Sequence, residues 1–565
     1  MIPTETTNLD SSVEACLGAM SAGEKFELLS GDPHWFTKPN YGAGVPALQT
    51  ANGPMGVRPY LKTPVEKGAV FPAAKATAFP GGVALAAAWD PELSRKVGAA
   101  IAGECNAKGV DVLLAPCVCL VRLPQGGRNF ESHGEDPFLA GRLAAAFIRG
   151  VEGEGVATSL KHFVCNDTDW ERHNVDVRVG ERALHELYLR AFQIAIEEST
   201  PETVMFAYPK VNGRHCCEHP ELLGPILRKA WGYGGVTISD WKAVRSGLES
   251  FRAGVDLEMP GPEFFDAALL ARVEKDPELL GLLEEKARRI VRLALKREAY
   301  LRENGGGRKR RPGTATQRRL ARRAARESMV LLKNEAALLP LRAGQLGKLA
   351  VIGPNADVAR VGGGGSSAVC PERAVSPLEV LRERLAGHAE IVHAPGIRRA
   401  SDILPIPDRC WFRDPEGRRP GLEAAYFNNL ERRGDPIWRG RVAGLELDWG
   451  DFSPEKGVYP SYFSARFEGW LFPERDGPTE LRLRVKDGAR LWIDGERKLD
   501  LISGTETGAA TGPPWSRAKR AKVVVDLERD RPRHVVVEYA NRRTKSCLVL
   551  GWQPHDPNPM DTARR

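Results

Sequence analysis

Apolar positions in the first half of the chain come in short continuous runs: "DVLLAPCV" (111–118), "VATSLKHF" (156–163), "TVMFAY" (203–208) and "GVTISD" (235–240). Continuous runs of this length predict strands covered on both faces. Between them the apolar residues recur at helical spacing, in "PFLAGRLAAAFIRG" (137–150), "ERALHELYLRAFQIAIEE" (181–198) and "PELLGPILRKAW" (220–231). Strands and helices alternating in this way predict parallel βα units, and a (β/α)8 TIM-like barrel of such units takes about 250 residues. A barrel carries its reactive groups at the C-terminal strand ends. Lys161, His162, Tyr208 and Asp240 fall there. Any one of them reads as a satisfied polar residue, but four strand ends converging on one rim predict a pocket. Ahead of the barrel, Ser21 with Glu24 three residues on forms a reciprocal cap that opens a helix, and Gly31 is expected to close it.

The pattern changes after about residue 300. The segment "ENGGGRKRRPGTAT" reads as an exposed linker, and its basic run lacks the interleaved aromatic residues that would stack bases. From Arg318 the chain returns to α/β character through "LAVIGPNAD", "GGGGSSAV" (362–369) and a helix over Pro377 to Leu385. That glycine-rich loop matches neither nucleotide-binding spacing. From about Gly421, "LEAAYF", "ELRLRV", "RLWIDG", "AKVVVDL", "HVVVEY" and "CLVLGW" are short alternating runs between turns, the signature of an antiparallel β-sandwich. The expected organisation is therefore multidomain α/β plus β. It comprises a barrel over 1–300, a linker over 301–317, part of an α/β sandwich domain over 318–410, a β-sandwich over 411–556 and a tail over 557–565.

Composition narrows the function classes only a little. With 42% hydrophobic and 27% charged residues in 565, the chain is an ordinary globular protein of several domains. A formal charge of +8, much of it in the basic segment 307–327, names no partner, and nucleic acid is not expected. No apolar run is long enough to span a membrane. The first residues show no leader, so the expectation is a cytoplasmic protein, or a secreted one if the true start lies upstream. Ten scattered cysteines form no disulfide framework and fit a reducing compartment. His215, Cys216, Cys217 and His219 lie close in sequence, but their adjacent cysteines do not follow zinc-ligand spacing, so the segment reads as a loop with partly buried thiols.

Several motifs then appear in one order: "NGPMGVR" (52–58), "AFP" (78–80), "WDPEL" (89–93), "GRNFES" with "EDP" (127–137), "KHF" with Asn166, "SDW" (239–241) and "AGVDLEMPGP" (253–262). Together they resemble glycoside hydrolase family 3, the β-glucosidase family, from about residue 20 onward. "DGARLWIDGERK" (487–498) resembles the most recognisable run of the protective-antigen-type β-sandwich that interrupts the second domain of some members. The resemblance implies a retaining hydrolase of terminal β-glucosyl residues with Asp240 as nucleophile. It implies that Arg128, Lys161 and His162 hold the sugar, that Tyr208 orients Asp240, and that Trp241 offers an apolar face. The sandwich is expected to bind carbohydrate at the pocket entrance. Neither a metal nor an organic cofactor is implied. The expected partners are β-linked glucosides or oligosaccharides and, where the chain self-associates, a second copy of itself. For Arg128 a salt bridge to Glu131 or Asp136 in its own loop competes with the sugar-binding role.

The chain departs from the family pattern in places. Asn52 stands where an aspartate usually grips the outer hydroxyls, and Pro209 follows Tyr208 where an asparagine is common. The loop "KHFVCNDTDWERH" lacks the glycines and histidine of the branch that removes N-acetylglucosamine, which excludes that branch. In relatives with this insert, the general acid/base glutamate lies in chain that follows the sandwich, so it is expected to be absent here. The region 318–410 is accordingly expected to expose a sheet edge and an apolar face. The alternatives are a truncated or non-catalytic sugar-binding homologue, or a β-xylosidase or α-arabinofuranosidase of the same family.

Overall fold

The computed structural model describes residues 5–32, 35–59, 75–305, 314–357, 359–394, 396, 403, 405–450, 453–459, 461–474, 476–502, 518–542 and 546–554. The expected tail at 557–565 and the basic core of the expected linker lie outside these residues. The chain forms two compact units. One carries the described residues up to Pro59 and from Lys75 to Ala394, and the other those from Gly396 onward.

In the first unit five strands form one parallel sheet in sequence order: β1 (Thr50–Asn52), β2 (Val112–Leu114), β3 (Ala157–Phe163), β4 (Thr203–Phe206) and β5 (Val236–Ser239). Every residue of β3 is buried, as a strand covered on both faces requires. Parallel bridges from Ile238 to Leu257 and from Ser30 to Glu258 carry the pairing beyond β5. The connecting helices begin where the sequence supplies caps. Asp90, Asp136 and Asp276 each accept hydrogen bonds from free N–H groups of a first turn that opens with proline.

The capping box of Ser21 and Glu24 is present, but its helix runs only from Ala22 to Glu27, short of Gly31. Gly31 serves close packing instead, since a Cβ there would lie 2.6 Å from the carbonyl oxygen of Pro260. The expected helix over 220–231 is a π-helix, Leu222–Ala230, with Pro225 inside it. Its last turn closes with Trp231 N–H donating to Ile226 O, five residues back.

The chain is helical up to Glu303 and again from Ala315, on either side of the basic run. The segment 314–394 belongs to the first unit and supplies a two-stranded parallel sheet, β6 (Lys348–Ile352) with β7 (Glu390–Ala394). Both strands alternate exposed and half-buried positions. Leu332 is 92% exposed and Ile352 73%, so this region exposes large apolar side chains, and among the described residues β6 and β7 pair only with each other.

The second unit is antiparallel. Five of the six alternating runs named above fall wholly within its strands, and the sixth, "RLWIDG", ends in a turn at Asp494 and Gly495 beyond the strand Gly488–Ile493. One sheet has Phe463–Leu471 and Arg533–Asn541 at its centre, and the other pairs Gly477–Val485 with Lys519–Leu527 and Ser546–Pro554. Their inward side chains, among them Tyr426, Phe463, Phe467, Leu483, Tyr539 and Leu550, form one core.

Candidate active site

Asp240 follows the last residue of β5 and is buried. Its Oδ1 accepts two hydrogen bonds, from the Tyr208 hydroxyl at 2.9 Å and from the Trp241 backbone N–H at 2.7 Å. Its Oδ2 lies 3.7 Å from Nε2 of His162. Tyr208 reaches Asp240 because β4 and β5 are paired in register, Phe206 opposite Ser239, so the residues just past the two strands meet at the same end. Burial, and after it the neighbouring Asp240, push the Tyr208 phenol well above its ordinary range, which keeps it a neutral donor. The His173 ring, 4.2 Å away, and the Arg172 guanidinium cover the other side of the phenol. His215 Nδ1 lies 3.0 Å from the Tyr208 carbonyl oxygen. That contact, with Cys216 donating to Val164 O, separates the histidine and cysteine segment into single structural roles.

Lys161 and His162 come from the C-terminal end of β3 and are both buried. Burial pulls the Lys161 ammonium down, and Glu131 opposes the shift. His162 is held well below its ordinary value by burial and then by Arg128 and Lys161, so its ring is a neutral imidazole beside the carboxylate. The contact with Asp240 is therefore not an ion pair.

Arg128 binds Glu131 through Nε, which fulfils one of the two structural partners expected for it. Asp136 is occupied otherwise, capping the helix Pro137–Glu152. Glu131 is fully buried. Burial pushes its carboxyl up, but Arg128 and Lys161 outweigh that and hold it below the usual carboxylate range. Its Oε2 also accepts from Ser367. The glycine-rich segment 362–365 makes this contact sterically accessible, since a Cβ on Gly363 would stand 2.2 Å from the Phe130 ring. Arg58 donates to Gly365 O at 2.8 Å. This loop is packing against the strand-end site, not a phosphate cradle.

Asn52 ends β1, and its side-chain amide nitrogen is buried with no hydrogen-bond partner among the described residues. The Trp241 indole lies against Trp35, ring centres 4.9 Å apart and planes inclined by 35°. A cleft lined by Cys117, Cys119, Arg128, His162, Asn166 and Asp167 adjoins these groups. Desolvation pushes the Asp167 carboxyl up to about 7.

Asp240, Tyr208, Trp241 and His162 are thus in direct contact or adjacent, and the Asp240 charge is felt, as a minor cause, at Lys161 and Arg128. Sequence reasoning did not single out Ser367, Trp35, Cys117 or Cys119. Only the CxC spacing of the last two is a signal that could have been read.

The chain matches the profile described as glycosyl hydrolase family 3 N terminal domain over residues 46–293, and that of the family 3 C-terminal domain over 329–526. It is 36% identical over 552 residues to the probable beta-glucosidase K of Emericella nidulans, covering 96% of this chain and 63% of that protein. It is likewise 36% identical over 546 residues to the probable beta-glucosidase K of Aspergillus fumigatus, covering 96% of this chain and 67% of that one. Among solved structures, the beta-glucosidase of Kluyveromyces marxianus in complex with glucose superposes with a TM-score of 0.76 at 28% identity. That match covers 98% of this chain and 66% of the other. The chain therefore spans roughly two thirds of the length of these three relatives.

Proposed function

Because the chain belongs to glycoside hydrolase family 3, we propose that it is a retaining β-glucosidase that removes terminal non-reducing β-D-glucosyl residues from β-glucosides and cello-oligosaccharides. The observation that carries the reading is the Asp240 carboxylate, held at Oδ1 by two donors and bordered by His162, Lys161 and Arg128.

In this reading Asp240 attacks the anomeric carbon through Oδ2 as the glycosidic C–O bond breaks and the aglycone oxygen departs and takes up a proton; water then hydrolyses the covalent glucosyl intermediate, releasing glucose and the Asp240 carboxylate. Tyr208 and the Trp241 N–H fix the carboxylate plane, so the attacking oxygen needs no reorientation. Lys161, Arg128, His162 and Asn52 present donors to the sugar hydroxyls, and the paired indoles of Trp241 and Trp35 offer an apolar wall to the ring or the aglycone. The five parallel strands are read as part of a (β/α)8-type barrel, and the antiparallel unit as the protective-antigen-type sandwich. All ten cysteines are free, which supports work in a reducing, cytoplasmic compartment.

The test is labelling with a 2-deoxy-2-fluoro-β-glucoside carrying a dinitrophenolate, a leaving group that departs without protonation. Intact and peptide masses then report the nucleophile by itself. A fluoroglucosyl adduct on Asp240 is expected. A folded chain with no adduct, or with the adduct elsewhere, overturns the assignment.

A further inference from the structure

The segment "APCVC" after β2 runs beside the end of β3, with Cys117 bridged to Lys161 and Val118 N–H donating to Lys161 O at 2.9 Å. In extended chain, residues two apart share a face. Both thiols accordingly meet the same imidazole: Nδ1 of His162 lies 3.8 Å from Sγ of Cys117 and 3.9 Å from Sγ of Cys119. The three atoms lie within 4.8 Å of one another, and all three residues are buried.

Tetrahedral zinc, with Zn–S near ~2.3 Å and Zn–N near ~2.05 Å, separates its nitrogen and sulfur ligands by about 3.6 Å and two sulfurs by about 3.8 Å. The donors here stand within a few tenths of an ångström of the nitrogen-to-sulfur spacing. Two thiolates and a neutral imidazole would also neutralise a dication, which removes most of the cost of placing it in a buried site. Thiolate donors select soft or borderline ions over magnesium or calcium. All three donor residues line the same cleft, which gives an ion a route to them.

The opposite ring nitrogen makes the arrangement consequential. With Nδ1 turned to the thiols, Nε2 is the nitrogen 3.7 Å from Oδ2 of Asp240. A histidine that ligates a metal through one nitrogen characteristically donates through the other to a carboxylate. We propose that Cys117, Cys119 and His162 form a three-donor site for a thiophilic cation such as Zn²⁺, and that its occupancy inhibits attack by Asp240. The bound ion would withdraw electron density from the imidazole, strengthen its N–H donation to Oδ2, and hold the ring away from the sugar. The ion acts as an inhibitor in this scheme, not as a cofactor. Its binding stands on the three donors alone, and only the inhibitory consequence rests on the proposed nucleophile.

Cadmium tests both parts, because each thiolate bound to Cd²⁺ contributes an ultraviolet charge-transfer band. The full chain is titrated with Cd²⁺ alongside Cys117→Ser/Cys119→Ser and, as a control, Cys216→Ser/Cys217→Ser. One ion per chain with a two-thiolate band is expected. Affinity should fall at least tenfold in the first double variant and hold in the control. His162→Asn, which keeps both thiols, should also bind at least tenfold more weakly, so the assignment does not depend on the double variant folding. Absence of the band, or its survival in a folded Cys117→Ser/Cys119→Ser chain, overturns the site. Saturating Cd²⁺ should slow labelling of Asp240 by the fluoroglucoside at least tenfold, and an unchanged rate overturns the inhibitory link. The cadmium band needs no turnover, so a chain that never labels counts against the nucleophile alone.

Discussion

The hydroxyl of Tyr208 stands 2.9 Å from Oδ1 of Asp240 and 3.0 Å from the carbonyl oxygen of Trp241, so one phenolic proton faces two acceptors. The carboxylate and the following peptide are held together by a single side chain from the neighbouring strand. Tyr208→Phe keeps the ring packed on His173 but removes the donor. A hydrogen bond to a charged group contributes about 1.5–3 kcal/mol, so labelling of Asp240 should slow roughly 10- to 100-fold. Glucose affinity should change much less. Equal losses in both measurements would mean that Tyr208 binds sugar instead of positioning the nucleophile.

Asn52 offers a buried amide nitrogen with no protein partner among the described residues, at the end of a strand neighbouring the site. A sugar hydroxyl is the natural acceptor. Asn52→Ala should weaken glucose binding by about 2- to 10-fold, the usual worth of one neutral hydrogen bond. Asn52→Asp should tighten it, because a carboxylate acceptor makes the stronger bond. Calorimetric titration with glucose reads both, and an Asp variant that binds no better than the Ala variant would remove Asn52 from the pocket.

Glu131 is a buried carboxylate that faces Arg128, Lys161 and Ser367. Replacing it by alanine strands two cations in a buried site, and breaking such a cluster costs about 3–5 kcal/mol. Ser367→Ala removes one donor to this charged carboxylate and should cost about 1.5–3 kcal/mol. Urea denaturation of the two single variants and the double variant measures their coupling. Strict additivity would show that the glycine-rich loop and Glu131 are energetically separate despite their contact.

The Glu152 carboxyl is pushed up to about 8, first by desolvation and then by Glu202. In the unfolded chain it titrates near 4.5. Between these values the folded protein binds the extra proton, so the contribution of Glu152 to stability is fully present below about 4.5 and is lost as pH rises through about 8. Glu152→Gln retains an oxygen that can accept from Thr158 N–H, Thr158 Oγ1 and Glu202 N–H, as Oε1 now does. The variant should gain on the parent steadily from pH 5 to pH 8 in denaturation experiments. A pH-independent difference would show that Glu152 is ionised throughout in the fold.

The local patterns were legible in the chain itself. Apolar runs located β3, β4 and β5, Ser21 with Glu24 opened a helix, and alternation marked the strands of the second unit. Such features depend on neighbours a few residues away, where periodicity and capping chemistry act directly. Motif order pointed to Asp240 and to the residues now found around it. The helix ahead of Gly31 ended earlier than expected because that glycine answers to Pro260, more than two hundred residues on, and not to its own turn.

What the chain alone left undecided lies between elements. Ser367 meets Glu131 across 236 positions, and Trp35 lies against Trp241. Cys117 and Cys119 reach His162 only because the segment after β2 runs alongside the end of β3. Side-chain periodicity sets which face of an element is buried, but register and the meeting of strand ends are set by packing of the whole unit. A buried carboxylate, an orphaned amide and a pair of thiols acquire chemistry only when that packing removes water and supplies their partners. Sequence therefore determined which residues could react, and tertiary structure decided which of them touch.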